Sequence, residues 1–427
     1  MGAVDGAPDY RAVADAFPLY QVGDRMAFNL KKTAIGVMAA SVLISAALTY
    51  NYAQMWKDDL IIPGDGVTQV KWLSDYLPQL KGSLGDTRVF IMEGEEPGGT
   101  FLVIGGTHAD EPGGWGTALV LVEHCKVKKG RVIVLTHYSN TGFTSNYPQE
   151  AHAQYIYLTT KDGSKRKFRH GSRTGNSAEH WPDPEVFIQY PHKQKYSGEE
   201  CRNPNRSYPG RLDGTFAERV SFGVQQLIRT EKVDMQIDLH EGQPEYPFIN
   251  AISAHKRAQD LVSMVQLEMQ ESDLAIGAEV SPDSFRGLSN LEMGDLFPNL
   301  YAMTSETVNA NQGKIRGITD EQLPVEGIDA FYDKAAELGY LFTPWKKGVG
   351  SPLKLRVGRN IQELQAMTHA LADVVGIEIE FDRIPSYDDV MKNGVGYYLH
   401  PLPENPQYPG FRALPGIWRL ISENFWN

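Results

Sequence analysis

The sequence predicts an α/β protein built on a mixed, largely parallel β-sheet with helices on both faces. Three observations carry this expectation. Short apolar runs stop abruptly at glycine or histidine, as in Thr100–Gly106 (T-F-L-V-I-G-G) and Arg131–His137 (R-V-I-V-L-T-H). Each is the length of a buried strand. Helical patterns lie between the runs, and strand–helix–strand alternation is the signature of a sheet covered on both sides.

Taken in order, Thr100–Gly106 is a strand, Gly114–Glu123 a helix and Arg131–His137 a second strand. The stretch from Ser139 to Arg202 is polar and rich in Gly, Pro, Tyr and His, which predicts long loops with a hairpin, a place for specificity. Alternation resumes with a helix at Phe216–Thr230, a strand at Val233–Leu239, a helix at His255–Glu271 and a strand at Leu300–Ser305. Asn360–Val375 has the spacing of an amphipathic helix. The last fifty residues, rich in Pro, Tyr and Trp, are expected to wrap over the surface.

The chain of 427 residues exceeds a usual single domain, which fits one large α/β body with an appendage. A net charge of −12 speaks against a general nucleic-acid binder, since a phosphate polymer is repelled over most of such a surface. The basic stretch Lys161–Arg169 is expected to be a solvated loop. Two cysteines, Cys125 and Cys201, exclude a cysteine-based metal site and a disulfide-rich scaffold, leaving one bridge or two separate thiols.

The amino terminus has a targeting pattern. No charge falls between Thr33 and Trp56, residues 34–48 are strongly apolar, and Arg25, Lys31 and Lys32 precede them. The sequence therefore divides into an extension over 1–56, a signal peptide or membrane anchor, and a body over 57–427. Ser45-Ala46-Ala47 offers a cleavage site, and Met26 an alternative start. Either form of export places the body outside the cytoplasm, in the periplasm or anchored to the membrane; a buried helix of a cytoplasmic protein is the alternative.

Four islands carry chemistry: G-G-T-H-A-D-E, N-P-N-R, D-L-H and T-S-E-T. His108 and Glu111 follow a predicted strand, three residues apart, and can face one ion from a turn. His240, at the end of another strand, supplies the second imidazole. Together they form the His2Glu set of a catalytic zinc site with an open position. Asp238, two residues before His240, shares its face and is placed to orient a ligand. Glu306, at a third strand end, is the candidate general base, with Glu241 and Glu245 as rivals. Asn205 and Arg206 are candidates for gripping a substrate carboxylate. Arg202 is the first choice for polarising the scissile carbonyl, and Arg169 and Arg173 compete for that role.

With these residues assembled, the chain resembles the succinylglutamate desuccinylase/aspartoacylase family, relatives of the zinc carboxypeptidases. The matching motifs are H-A-D-E, N-R-S-Y-P-G, D-L-H and the strand-borne Glu306, in the family's order, over about residues 95–310. The resemblance implies a carboxypeptidase-like sheet and one zinc ion on His108, Glu111 and His240. It also implies water activated with Glu306 as base, and a substrate carboxylate on Asn205 and Arg206. The stretch between Glu111 and Asn205 is longer than the family pattern, and an exported member favours a peptide or cell-envelope amide.

The expected function is zinc-dependent hydrolysis of an amide, in an N-acyl amino acid or related substrate carrying a carboxylate. A metallocarboxypeptidase is the first alternative, and an exported binding protein without turnover the second.

Overall fold

The computed structural model describes residues 30–146, 153–407 and 409. Arg25, Met26 and, in the tail expected to wrap the surface, residues 408 and 410–427 lie outside the described residues. The chain forms two compact units, Met1–Ala53 and Gln54–Asn427. The boundary falls three residues before the one the sequence suggests. Met55 is fully buried in the second unit, and Trp56 donates its indole N–H to the Thr144 carbonyl.

In the first unit, helix α1 (Leu30–Ala53) runs without interruption through Ser45-Ala46-Ala47. At about 1.5 Å per residue it is some 36 Å long, against about 30 Å for the hydrocarbon core of a bilayer. Ile35, Val42, Leu43 and Ile44 are each at least 60% exposed. Among the described residues this is the one helix long and apolar enough to cross a membrane.

In the second unit the strands are β1 (Gln69–Trp72), β2 (Arg88–Glu93), β3 (Glu96–Ile104), β4 (Lys126–Leu135), β5 (Tyr155–Thr159), β6 (Lys165–Arg169), β7 (Val186–Ile188), β8 (Lys195–Ser197), β9 (Met235–Gly242), β10 (Ala251–Ala254), β11 (Gly277–Val280), β12 (Tyr301–Val308) and β13 (Glu380–Arg383). The principal helices are α2 (Pro112–His124), α3 (Phe216–Glu231), α4 (Gln259–Glu271), α5 (Ser289–Leu296), α6 (Ala330–Glu337) and α7 (Leu353–Val375). The main sheet runs β1-β2-β4-β3-β9-β12-β10-β11, with β13 paired to β4. The central strands β4, β3, β9 and β12 are mutually parallel, and antiparallel pairs flank them. The expected mixed, largely parallel sheet is therefore present.

Strand periodicity divides the core in two. Phe101, Val103, Val132 and Val134 face one layer, with α2, α4 and α7. Leu102, Ile104, Ile133 and Leu135 face the other, with α3 and α5. Burial on both faces explains why these strands are continuously apolar. Helix α2 is apolar all round because the sheet lies on one side of it and α7 on the other. A capping box between Thr215 and Glu218 starts α3, and left-handed Lys232 ends it.

The basic stretch expected to be solvated is the β5–β6 hairpin. Lys165 and Lys167 point outward, while Arg166 and Arg169 turn inward and are almost fully buried. Arg166 makes paired bonds to Glu123, both at 3.1 Å, and also donates to the carbonyls of Leu60 and His400. Arg169 donates to the Met55 carbonyl and to Asn140, and its backbone N–H donates to Asp59. Strand-like alternation, with Arg166 and Phe168 inward and Lys165 and Lys167 outward, distinguishes this segment from a loop, whereas Arg169 is buried out of that alternation by its contacts with Met55 and Asp59. Cys125 and Cys201 are both buried free thiols, not a disulfide.

Candidate metal centre

After β3 the chain turns through Gly105-Gly106. Gly106 has φ +71°, and a Cβ there would sit 2.8 Å from the Thr136 carbonyl oxygen, so glycine is needed at this turn. From β3 the chain proceeds to β4 on one side, whereas β9 pairs with β3 on the other. Strand order reverses between β3 and β9, and at such a switch point the carboxyl ends of parallel strands leave a crevice. β3 ends at Ile104, opposite Asp238, and β9 continues for four more residues. His240 therefore projects beyond the end of β3, beside the turn carrying His108 and Glu111.

The three side chains converge. Glu111 Oε1 is 2.6 Å from His108 Nδ1 and Glu111 Oε2 is 3.0 Å from His240 Nδ1, with the two Nδ1 atoms 3.2 Å apart. Each residue is 1% exposed, and one ligand atom from each lies within 4.8 Å of the others.

The outer ring nitrogens explain the orientation. His240 Nε2 faces Asp238 Oδ2 at 3.2 Å, and Asp238 accepts from Thr107 Oγ1 and Ser289 Oγ at 2.6 and 2.7 Å. His108 Nε2 faces Asn203 Oδ1 at 3.1 Å. That amide is fixed, because Oδ1 also accepts from the Asn205 N–H and Nδ2 donates to Glu200. His108 must therefore carry its proton on Nε2, leaving a lone pair on Nδ1 directed at a carboxylate oxygen 2.6 Å away. A second proton on Nδ1, or a metal cation held between the two groups, satisfies this contact. Two imidazoles and a carboxylate, with the outer nitrogen of His108 held by Asn203 and that of His240 near Asp238, are a donor set that fits zinc.

Burial would raise the Glu111 carboxyl, but His108 and His240 hold it below the usual carboxylate range. Burial would lower His240, yet Asp238 and Glu111 raise it well above an ordinary histidine. His108 is lowered, by burial and by Arg173.

Glu306 lies on β12 in register with His240. Its strand position places it with Asp238 and His240 on the α3/α5 face. Burial pushes its carboxyl up to about 7, with His240 opposing and Glu111 reinforcing the rise. The rivals are engaged elsewhere. Glu241 points to the opposite face, where it meets Arg356 at 2.5 Å and accepts from Asn309, while its backbone N–H donates to Glu111. Glu245 accepts from Tyr332 and from the Lys314 N–H.

Among the arginines, Arg202 binds Asp183 at 3.0 Å together with Thr174 and the Gly175 carbonyl. These contacts hold it away from the ligands. Arg173 instead approaches them, with Nη1 3.7 Å from Glu111 Oε1 and 3.4 Å from His108 Nδ1, and its side chain is 38% exposed. Arg169 is committed to the residues around Met55 and Asp59. Asn205 and Arg206 are buried, and the Arg206 guanidinium stacks on Phe285 at 4.3 Å. Asn203 and Glu200 are absent from the sequence-based set, although the doubled asparagine of R-N-P-N-R marks their turn. A second cluster, His192, Glu292 and Asp295, has two of its three members exposed, and its carboxylates pair with Arg286 at 2.9 and 3.8 Å. A groove of about 950 Å³ between the β5–β6 hairpin and residues 321–354 contains none of the candidate site residues.

Sequence comparison finds no matching family model and no matching curated protein. Among solved structures, the chain is similar to the product-bound ectoine utilization protein EutE of Ruegeria pomeroyi, at 15% identity and TM-score 0.35 over 69% of this chain and 62% of that one. It is similar to the apo cell shape determinant protein Csd4 of Helicobacter pylori, at 13% identity and TM-score 0.39, covering 71% and 58%. It is also similar to a succinylglutamate desuccinylase from Silicibacter, at 17% identity and TM-score 0.33, covering 62% and 64%. The chain spans less than two thirds of the length of each.

Proposed function

We propose that the protein is a metal-dependent hydrolase that cleaves an amide next to a carboxylate-bearing group. The observation that carries this reading is the convergence of His108 Nδ1, His240 Nδ1 and the Glu111 carboxylate within 3.2 Å of one another, with Glu306 in register beside them. His108, Glu111 and His240 would hold one zinc ion. When bound, zinc supplies Lewis-acid polarisation of a carbonyl and lowers the pKa of water toward about 7.

The protein's own groups supply the rest. Glu306 accepts a proton from the attacking water and returns it to the departing amine. Its half-buried position keeps the carboxyl's proton affinity high enough for both tasks. Arg173 stands in the place first given to Arg202, as the donor for the oxyanion that forms at the carbonyl. Asn205 and Arg206 receive the substrate carboxylate, and the stacked guanidinium is preorganised for that contact. Asp238 and Asn203 hold the two imidazoles in the required tautomers. The apolar α1 supports attachment to a membrane, with the body outside the cytoplasm.

The test is metal analysis of the purified full chain, followed by assays on N-acyl amino acids and on peptides with free or amidated C-termini. Stoichiometric zinc and hydrolysis that requires the carboxylate are expected. A folded protein that binds no metal overturns the proposal. Zinc binding with no turnover across the panel leaves only the binding-protein alternative.

A further inference from the structure

Arg206 has a charged neighbour of opposite sign. Its Nε lies 3.7 Å from Glu200 Oε2, and the two side chains are 10% and 21% exposed. Both are fixed in place. Arg206 Nη1 donates to the Asn205 carbonyl at 2.7 Å, and its plane lies against Phe285. Glu200 Oε2 accepts from Asn203 Nδ2 at 2.6 Å, and Asn203 in turn touches His108. The pair is therefore one side chain removed from the candidate metal ligands.

The separation is informative. A guanidinium–carboxylate hydrogen bond spans about 2.7–2.9 Å and is often paired, so at 3.7 Å neither group spends its bonding capacity on the other. A counter-ion serving only to make a buried arginine tolerable gains most from direct, paired contact. A site meant for a lone carboxylate is weakened by a second carboxylate beside its arginine. A molecule carrying both charges benefits from both groups. Arg173 and Arg206 each also feel the charges of Glu200 and Glu306, which places the four groups in one field.

We propose that Arg206 and Glu200 form a subsite for a zwitterion, taking the α-carboxylate and the α-ammonium of one amino acid. An amino acid acylated on its α-nitrogen has no such ammonium. The preferred substrate class is therefore an amide made through the side chain of an amino acid, with its α-ammonium and α-carboxylate both free. This inference rests on the hydrolase reading for its reaction, but not for its recognition.

The experiment compares side-chain N-acetyl derivatives of ornithine and lysine with their α-deamino counterparts on the zinc-loaded full chain. It uses wild type and Glu200→Gln. Gln keeps an acceptor for Asn203, so zinc content serves as the control for an intact site. The expected result is a wild-type preference in kcat/KM of about ten- to a hundredfold for the zwitterions, expressed mainly in KM. In Glu200→Gln that ratio should collapse toward one. Equal use of both series by wild type overturns the subsite, as does an equal loss on both in the variant. Wild type decides alone if the variant does not fold. Calorimetric binding of ornithine and lysine against their α-deamino forms separates the two ideas. Preference in binding without turnover keeps the subsite and removes the hydrolase, turnover without preference does the reverse, and no binding with no turnover overturns both.

Discussion

His240 and Glu306 are register partners across the parallel β9–β12 pair. One strand carries the candidate ligand and its neighbour the candidate base, so their spacing is set by the sheet and not by a mobile loop. Replacing Glu306 with Gln should cut kcat by about 10²–10⁴-fold while zinc remains stoichiometric. Steady-state kinetics with metal analysis check this, and an active variant removes Glu306 from the role.

Asp238 accepts from Thr107 and Ser289 and faces His240 Nε2. Asp238→Asn removes the charge that orients and polarises the imidazole. Zinc affinity, measured by competition with a chelator, should fall about 10–100-fold. Unchanged affinity would show that His240 needs no such support.

The arginine contacts separate two candidates. Arg173→Ala should lower kcat by about 10²–10³-fold, whereas Arg202→Ala should act mainly on thermal stability by releasing Asp183. The opposite pattern would return the oxyanion role to Arg202.

Glu241 and Arg356 form a buried ion pair on the opposite face. Glu241→Ala strands the guanidinium, at a cost of about 3–5 kcal/mol, which denaturant unfolding can measure. The loss should exceed that of replacing both partners with apolar residues of similar volume.

Acid stability depends on a different cluster. Burial would raise the Asp59 carboxyl, but Arg169 and His137 hold it at about 2; His137 is itself kept neutral, its pKa lowered by burial. Both groups bind protons more readily when unfolded, so each contributes stability at higher pH that is lost on acidification. The His137 part fades below about pH 6.5, and the Asp59 part fades from about pH 4 toward pH 2. Asp59→Asn should flatten the lower limb of a Tm-against-pH curve, removing about 2 kcal/mol of the pH dependence. An identical lower limb in the variant would place the acid sensitivity elsewhere.

The candidate ligands and Glu306 could be read from the sequence because His240 and Glu306 lie near the ends of apolar strands and His108 and Glu111 on the turn just after one, and the ends of parallel strands meet on one edge. Arg173, Glu200 and Asn203 were not ranked first because they sit in the hairpin-rich region between β4 and α3, where no period fixes direction. Their roles arise from partners distant in sequence, as with Asn203 on His108. Strands β10 and β11 are four residues each and take their place from pairing with β12 and with one another, which no short run of residues specifies. Arg166 misled for a related reason, since a charge suggests solvent unless the alternation around it is read as a strand, and Arg169 because the partners that bury it, Met55 and Asp59, are distant in sequence.

The strap that follows α1 limits where the protein can be cut. Met55 is buried, Trp56 reaches Thr144, and Asp59 holds His137 and Arg169. A protease acting within α1 leaves this fastening whole. One acting a few residues later removes the chain's hold on the β5–β6 hairpin and leaves Arg169 without its partner Asp59. Cleavage that leaves the second unit folded is therefore expected only upstream of Gln54, and shortening from the amino terminus should turn from harmless to unfolding within the six residues from Gln54 to Asp59.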